Sequence, residues 1–454
     1  MSVYFPNETI AAIATPLGEG GVAMIRISGK EAVSIAAKVF SGPIHSYKSH
    51  TAHYGYIFDA QRKKVDDVLL LPMLGKRSYT GEPTVEIFCH GGTLITRRVL
   101  ETVLQAGARA AQPGEFTLRA FLNGKLDLAQ AEAVQTLISA KNEHALAAAD
   151  NQLQGALSQK IEHFQYLLTD IAAILEAWID FPEEGLEFAS IEEIENHLTQ
   201  VMREMQHLLN TFHEGKMIRE GISLCLIGCP NAGKSSLMNA LLDKERAIVS
   251  SIPGTTRDLL EESVLINGLH MRLIDTAGIR DSEELIEQEG VRRSKKALEQ
   301  ADLILLVLDI TREVGEEELS LIQQVLEKKT VVIWNKIDLP HSPPKALNFS
   351  HVASVSAKEK IGLENLHQKI DDILWKQGPP AHDEVLITHV RHKEALNRAI
   401  DACKAVISGL KADVSPEFLT QDMRLCLQEL GKIIGTDVTE DILSAIFSKF
   451  CIGK

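Results

Sequence analysis

The run Gly228-Cys229-Pro230-Asn231-Ala232-Gly233-Lys234-Ser235 constrains the fold of this chain more than any other feature. It follows the apolar stretch Leu224-Cys225-Leu226-Ile227. It precedes Ser236-Leu237-Met238-Asn239-Ala240-Leu241-Leu242, which reads as helix. Strand, GxxxxGK[ST] loop and helix in that order make a phosphate-binding unit, because the loop's backbone N–H groups surround an anion at a helix N-terminus. In this reading Asn231, Ala232, Gly233, Lys234, Ser235 and Ser236 contact a nucleotide. Lys234 neutralises its β- and γ-phosphate oxygens and Ser235 binds Mg²⁺.

Downstream residues identify the base. Asp275-Thr276-Ala277-Gly278 follows the strand Met271-Arg272-Leu273-Ile274; its carboxylate can hold Mg²⁺ through water and its glycine N–H can face the γ-phosphate. Between the two motifs, Ser250-Ser251-Ile252-Pro253-Gly254-Thr255-Thr256 is read as nucleotide-contacting, with Thr256 reaching Mg²⁺ as a switch-loop residue. After the apolar run Val331-Val332-Ile333-Trp334 comes Asn335-Lys336-Ile337-Asp338. A carboxylate at Asp338 accepts from guanine N1–H and N2–H₂, an edge that adenine lacks. Ser356-Ala357-Lys358 adds a backbone donor to guanine O6. The nucleotide is therefore GTP.

One position departs from the common GTPase pattern. Ile279 stands where Ras-like proteins place the glutamine that orients the attacking water, and an apolar side chain cannot do that. Either the protein senses nucleotide with little turnover, or other groups complete the site. Asn231 could bring a monovalent cation to the phosphates, and the acidic stretch with Glu283, Glu284, Glu287 and Glu289 could supply a carboxylate for water.

The rest of the chain falls into distinct textures. Its 454 residues suggest about three domains. The first ~120 read as mixed α/β, with candidate strands Val22 to Ile27, Val68 to Leu71 and Val85 to Phe88. From Leu126 the sequence turns helical. Leu153, Leu157, Ile161, Phe164, Leu168, Ile171, Leu175 and Trp178 recur at steps of four and three, the seam of one long helix. Ile191 to Phe212 repeats that texture, the α/β pattern runs from Gly221 to about Trp375, and residues 385–450 return to helix. Helices on both sides of an α/β block suggest one helical domain interrupted by an insertion; two separate helical domains are the alternative.

Charge and cysteine usage narrow the function classes. The net charge is −15, yet residues 1–120 hold 13 Lys/Arg against 10 Asp/Glu, so the acidic excess lies downstream. An acidic body cannot track a phosphate backbone unaided, so work on RNA requires a local basic face or a partner. The six cysteines form no CxxC pair, and the first twenty residues lack the basic and apolar regions of a signal peptide. The longest purely apolar run, Leu303 to Leu308, is too short to cross a bilayer. A cytoplasmic protein without a membrane anchor is expected.

Taken together, these motifs resemble the tRNA uridine-modification GTPase family, MnmE or TrmE. The likeness extends through Gly21-Val22-Ala23-Met24-Ile25-Arg26-Ile27-Ser28-Gly29, Thr80-Gly81-Glu82, Val85-Glu86-Ile87, His90-Gly91-Gly92, Pro113-Gly114-Glu115-Phe116-Thr117-Leu118-Arg119, Asn123-Gly124-Lys125-Leu126-Asp127 and the tail Phe450-Cys451-Ile452-Gly453-Lys454. The resemblance implies a multidomain α/β and α protein. Residues 1–122 would be an α/β folate-binding and dimerisation domain, and 123–216 the first part of a discontinuous helical bundle. Residues 217–378 would be an inserted Ras-like P-loop G domain, and 379–454 the second helical part with its Cys-containing tail. It further implies a homodimer that joins the FAD-dependent partner MnmG in a heterotetramer, meets tRNA mainly through that partner, and installs a (carboxymethyl)aminomethyl group at C5 of the wobble uridine. FAD would sit on the partner only. A tetrahydrofolate derivative (5-formyl or 5,10-methylene) would be bound through Arg26, Glu86, Lys125 and Lys454, with Cys451 in the modification chemistry. K⁺ would lie near Asn231, Ser250, Ile252 and Thr255, and Glu287 would orient water.

The folate assignment has support from the residues themselves. Arg26 and Glu86 each interrupt an apolar strand, where an unpaired charge is costly. A pterin edge suits a carboxylate and a glutamate tail suits basic groups, while a ligand-free Arg26–Glu86 salt bridge is the bland alternative. Two other functions compete: a GTPase switch in ribosome assembly without modification chemistry, and a folate-dependent transferase with a decorative G domain. The mixed-charge helices after Pro380 disfavour the first, and the intact guanine motifs disfavour the second. The apolar face Ile442, Ala445, Ile446 and Phe450 suggests that the tail docks, rather than frays, at Cys451.

Overall fold

The computed structural model describes residues 8–181, 190–244, 263–274, 297–342, 347–375, 378–381 and 383–453. The chain divides into two compact units: Met1–Gln135 with Gln152–Arg203 and Ala395–Lys454, and Thr136–Asn151 with Glu204–Glu394.

The N-terminal part is built on β1 (Ile10–Ile13), β2 (Val22–Ser28), α1 (Ala32–Val39), β3 (His53–Phe58), β4 (Lys64–Met73), β5 (Thr84–His90), α2 (Thr93–Gln105), β6 (Arg109–Ala110) and α3 (Glu115–Leu122). The strands form one sheet in the order β3-β4-β5-β2-β1-β6, antiparallel except for the β1–β6 pair. Alternation assigns each residue to a face. Ile25, Ile27, Ile57, Leu70, Val85 and Ile87 pack against α1 and α2 through Ile35, Val99 and Val103. On the opposite face, sheet register aligns Tyr54, Leu69, Phe88 and Met24 in one row across four strands. Tyr54 is 65% exposed and Leu69 48%, and Val22 on the same face is 63% exposed.

Helices α4 (Leu128–Ser139), α5 (Glu143–Leu153), α6 (Ala156–Asp180), α7 (Ile191–Asn210) and α8 (Phe212–Glu220) follow. The expected single helix from Leu153 is two: α5 ends at Leu153, and Gly155, in the left-handed region at φ +89°, separates it from α6. The seam Leu157, Ile161, Phe164, Leu168, Ile171 and Leu175 is buried along α6, as its periodicity requires.

The α/β block then comprises β7 (Ile222–Ile227), α9 (Lys234–Lys244), β8 (Ser263–Ile266), β9 (Leu269–Ile274), β10 (Leu303–Asp309), α10 (Glu316–Val325), β11 (Thr330–Asn335), β12 (Val352–Val355) and α11 (Leu363–Leu374). Its sheet runs β12-β11-β10-β7-β9-β8, parallel except for the β8–β9 hairpin. Every residue of β7, β10 and β11 is buried, which explains why these strands read as unbroken apolar runs. The chain moves to opposite sides of β7, so the carboxyl ends of β7 and β10 frame a switch-point crevice, the usual ligand site of such sheets.

After the block come α12 (Val390–Lys411), α13 (Pro416–Ile434) and α14 (Glu440–Phe447). The buried face of α13, including Leu419, Met423, Cys426 and Leu430, packs on α6. Gln165 donates to the Leu427 carbonyl at 3.3 Å, and Arg424 pairs with Glu176 at 2.9 Å. Segments more than two hundred residues apart thus form one helical layer, and the G-type block is inserted in it. Among the described residues no helix is long and apolar enough to cross a membrane.

Candidate functional site

The first site gathers at the carboxyl ends of β7, β10 and β11. The phosphate loop leaves β7 at Ile227 and enters α9 at Lys234. Asn231 lies exposed in the loop at φ +61°, a left-handed conformation that asparagine tolerates better than most residues. Gly233 has φ +97°, and a Cβ there would lie 2.1 Å from Asn335 Nδ2, so the loop and the end of β11 touch too closely for a side chain. Lys234 donates to the Gly228 and Cys229 carbonyls at 2.8 and 3.1 Å, which holds its ammonium over the loop. Ala232 is buried, Ser235 is half-buried in the first turn of α9, and Ser236 is exposed.

Asn335 joins three loops. Buried to 2% exposure, it donates from Nδ2 to the Ala232 carbonyl at 2.9 Å, and its Oδ1 accepts from the Ala357 amide at 3.0 Å. The phosphate loop, the 335–338 loop and the 356–358 loop are therefore set relative to one another by one side chain. Lys336 follows at φ +71°. Asp338 is exposed, and the Ser356 hydroxyl, aided by Lys358 and Lys336, holds its carboxyl below the ordinary range. It stays ionised and able to accept two N–H donors. Lys358 is 81% exposed. A GxxxxGK[ST] loop between a buried strand and a helix N-terminus suits a nucleotide phosphate chain, and Ser235, in the first turn of α9, offers the hydroxyl a divalent cation requires.

Several expected site residues lie outside the described residues: Ser250, Ser251, Ile252, Pro253, Gly254, Thr255, Thr256, Asp275, Thr276, Ala277, Gly278, Ile279, Glu283, Glu284, Glu287, Glu289 and Lys454.

The second candidate site belongs to the N-terminal sheet. Arg26 on β2 stands opposite Glu86 on β5, and its Nε donates to Glu86 Oε1 at 2.9 Å, each side chain 12% exposed. The guanidinium lies 5.3 Å from the Tyr79 ring centre and 5.7 Å from that of Phe116. The bland alternative, a salt bridge, is thus present, but it uses only Nε. The two terminal nitrogens have no protein acceptor among the described residues. Burial raises the Tyr79 phenol above its ordinary range, against the Thr117 hydroxyl and Arg26, so this ring stays neutral. Lys125 reaches toward the Lys76 carbonyl at 3.4 Å, and Asn123 donates to the Thr80 carbonyl at 2.8 Å; both brace the loop that carries Tyr79.

The tail reaches the same region. Phe447 and Phe450 are 2% and 5% exposed, Gln135 donates to the Lys449 carbonyl at 3.0 Å, and the Gly114 amide donates to the Cys451 carbonyl at 3.4 Å. Gly453 is buried, and a Cβ on it would lie 2.2 Å from the Ile13 carbonyl oxygen. The tail docks, with the Cys451 side chain exposed. Gly114 opens α3, whose second residue is Phe116, so the tail and the Arg26 cluster share one helix start.

Some contributors escaped the sequence reading. Tyr79 immediately precedes Thr80-Gly81-Glu82 and Phe116 lies within the 113–119 stretch, but nothing local shows that they face Arg26. Arg119, fully buried, pairs with Glu82 at 3.0 Å and Glu115 at 3.1 Å. Asp309 ends the most apolar strand, and that abrupt charge was the available signal.

Residues 128–451 match the family profile described as MnmE helical domain, and residues 9–125 match that described as GTP-binding protein TrmE N-terminus. A tRNA modification GTPase MnmE of Protochlamydia amoebophila (strain UWE25) is 65% identical over 99% of this chain and 98% of its own length. Proteins with the same description from Alkaliphilus oremlandii (strain OhILAs) and Clostridioides difficile (strain 630) are 45% and 40% identical, each over 99% of this chain and over 99% and 100% of their own lengths.

Proposed function

The chain belongs to the MnmE family of tRNA modification GTPases, and from that premise we propose that it drives one defined reaction: addition of a carboxymethylaminomethyl or aminomethyl group at C5 of the wobble uridine. In this reading it acts in the cytoplasm as a homodimer with the FAD-dependent MnmG, which carries most of the tRNA contact. The proposed organisation is 1–122, 123–216, 217–378 and 379–454, as the sequence boundaries suggest.

The observation that carries the reading is the coexistence of two pockets in one chain. One is the loop cluster set by Asn335, read as the guanine pocket; the other is the Arg26 guanidinium beside Glu86, whose terminal nitrogens have no protein acceptor among the described residues. In the first, Lys234 and the loop amides take the phosphates, Asp338 takes the guanine edge, and Ser235 with Thr256 would hold Mg²⁺. The magnesium ion supplies charge neutralisation on the phosphate oxygens, and K⁺ near Asn231, Ser250, Ile252 and Thr255 supplies positive charge in place of an arginine finger. Glu287 orients water, a role that Ile279 cannot fill.

In the second pocket, Arg26 offers N–H donors to a carbonyl, and the second Glu86 oxygen offers an acceptor to amino and ring N–H groups. That combination suits a pterin edge, and Lys125 and Lys454 suit a polyanionic tail. A bound tetrahydrofolate derivative supplies a one-carbon unit. The half-open face with Tyr54, Leu69 and Val22 supports homodimerisation through the N-terminal domain, because a row of exposed apolar side chains across a sheet favours burial against a second copy.

Mass spectrometry of tRNA nucleosides tests the reading. A strain lacking this gene is expected to lose the C5-aminomethyl family of wobble uridines. Purified protein should restore them only together with the flavoprotein and a one-carbon folate. Normal nucleosides in the deletion strain would leave a GTPase without this chemistry.

A further inference from the structure

Asp309 ends β10 directly opposite Asn335 of β11 in the sheet register. It is 7% exposed, and both its oxygens are occupied by the protein. Oδ1 accepts from the Thr311 amide at 3.0 Å and the Thr311 hydroxyl at 2.7 Å. Oδ2 accepts from Lys336 Nζ at 2.6 Å and Arg312 Nε at 3.2 Å. Burial alone would raise this carboxyl; the Lys336 ammonium and the Thr311 hydroxyl and amide outweigh it and hold it at about 2. The carboxylate of Asp309 is therefore ionised at neutral pH.

Lys336 lies between two residues of the pocket, Asn335 and Asp338. Its backbone is left-handed, a conformation that costs a non-glycine residue roughly 1 kcal/mol and persists only where the surroundings enforce it. Its side chain is 29% exposed, although the ammonium is bound. With the ammonium engaged by Asp309, the methylene stem is what the side chain has left to offer a ligand. An ammonium already paired with a buried carboxylate has little attraction left for a phosphate, whereas a fixed hydrocarbon stem makes a flat apolar surface.

We propose that Asp309 is a positioning residue of the nucleotide pocket: by binding the Lys336 ammonium it fixes the lysine stem as a wall for the purine and ribose, and it leaves the phosphate charge to Lys234. This rests on the guanine reading of residues 335–338. It distinguishes Lys336 from Lys234, since the first acts through its carbon chain and the second through its charge. GTP and GDP share the base and ribose, so both nucleotides should depend on Asp309 equally.

Calorimetric titration of the full chain with GTP and GDP tests this, alongside steady-state hydrolysis. Asp309→Asn is expected to raise Kd for both nucleotides by about tenfold and KM for GTP in parallel, with kcat changed by less than about twofold. Asp309→Asn/Lys336→Met keeps the stem and removes both charges, so its Kd should return to within about threefold of the unaltered chain. Unchanged affinity in the single variant overturns the proposal. So does a loss confined to GTP, because Lys336 would then serve the γ-phosphate. A double variant as weak as the single one also overturns it, because the loss would then come from damage to the end of β10. Should the single variant not fold, the double variant decides by the same criterion. Preference of the unaltered chain for GTP over ATP tests the underlying guanine reading separately.

Discussion

Replacing Asn335 with alanine is the most direct test of how the nucleotide pocket is assembled. The change removes two hydrogen bonds from a side chain that is 2% exposed, and it orphans the Ala232 carbonyl and the Ala357 amide. Leaving a buried donor or acceptor unmatched costs about 1–3 kcal/mol each, so the simple sum is about 2–6 kcal/mol. Water can enter the volume vacated by the amide and satisfy part of the Ala232 carbonyl, which points to the lower half, about 2–4 kcal/mol. Urea unfolding of the nucleotide-free chain reads this out in a Trp178→Phe background. The two remaining tryptophans, Trp334 and Trp375, are 4% and 5% exposed and both lie in the cores of the α/β block. The transition of that block should move to lower urea with an unchanged slope. GTP and GDP affinity should fall together, by about tenfold or more, because the phosphate loop loses its tie to the base-recognition loop. A stability change under about 0.5 kcal/mol would refute the reasoning, because the two bonds would then contribute nothing net.

Four further outcomes follow from the same reading. Asp338→Asn should weaken GTP binding by about 1–3 kcal/mol and shift preference toward xanthosine triphosphate, whose carbonyl meets the new amide; titration with both nucleotides checks it, and no swap would place the base elsewhere. Hydrolysis should be faster in KCl than in NaCl at matched ionic strength, and Glu287→Ala should cut kcat by about a hundredfold or more with nucleotide affinity nearly unchanged. Equal rates in the two salts would remove the monovalent cation from the reading. Cys451→Ser should abolish wobble-uridine modification while sparing GTP hydrolysis, since the tail docks on the N-terminal sheet and not in the α/β block; normal modification would make the thiol a bystander.

The sequence by itself determined whatever is written in consecutive residues. The phosphate loop between strand and helix, the buried strands around Leu224, Leu305 and Val332, and the seam of α6 all follow from spacing, because a short segment's hydrogen bonds and apolar period are local properties. Even there, Gly155 split a helix whose apolar period ran straight through it, since a seam records burial and not backbone continuity. Tertiary structure alone decided which distant side chains meet. Arg26 pairs with Glu86 only because β2 and β5 are neighbours in a particular register, sixty residues apart. Asn335 reaches Ala232 across 103 residues, and Lys336 reaches Asp309 across 27, because parallel strands bring their carboxyl ends to one crevice. Shifting either strand by one residue would turn these side chains to the other face and leave every local motif intact. The docking of the tail beside Gly114 is of the same kind: its apolar residues announce burial, but the surface that receives them exists only once the N-terminal sheet has folded.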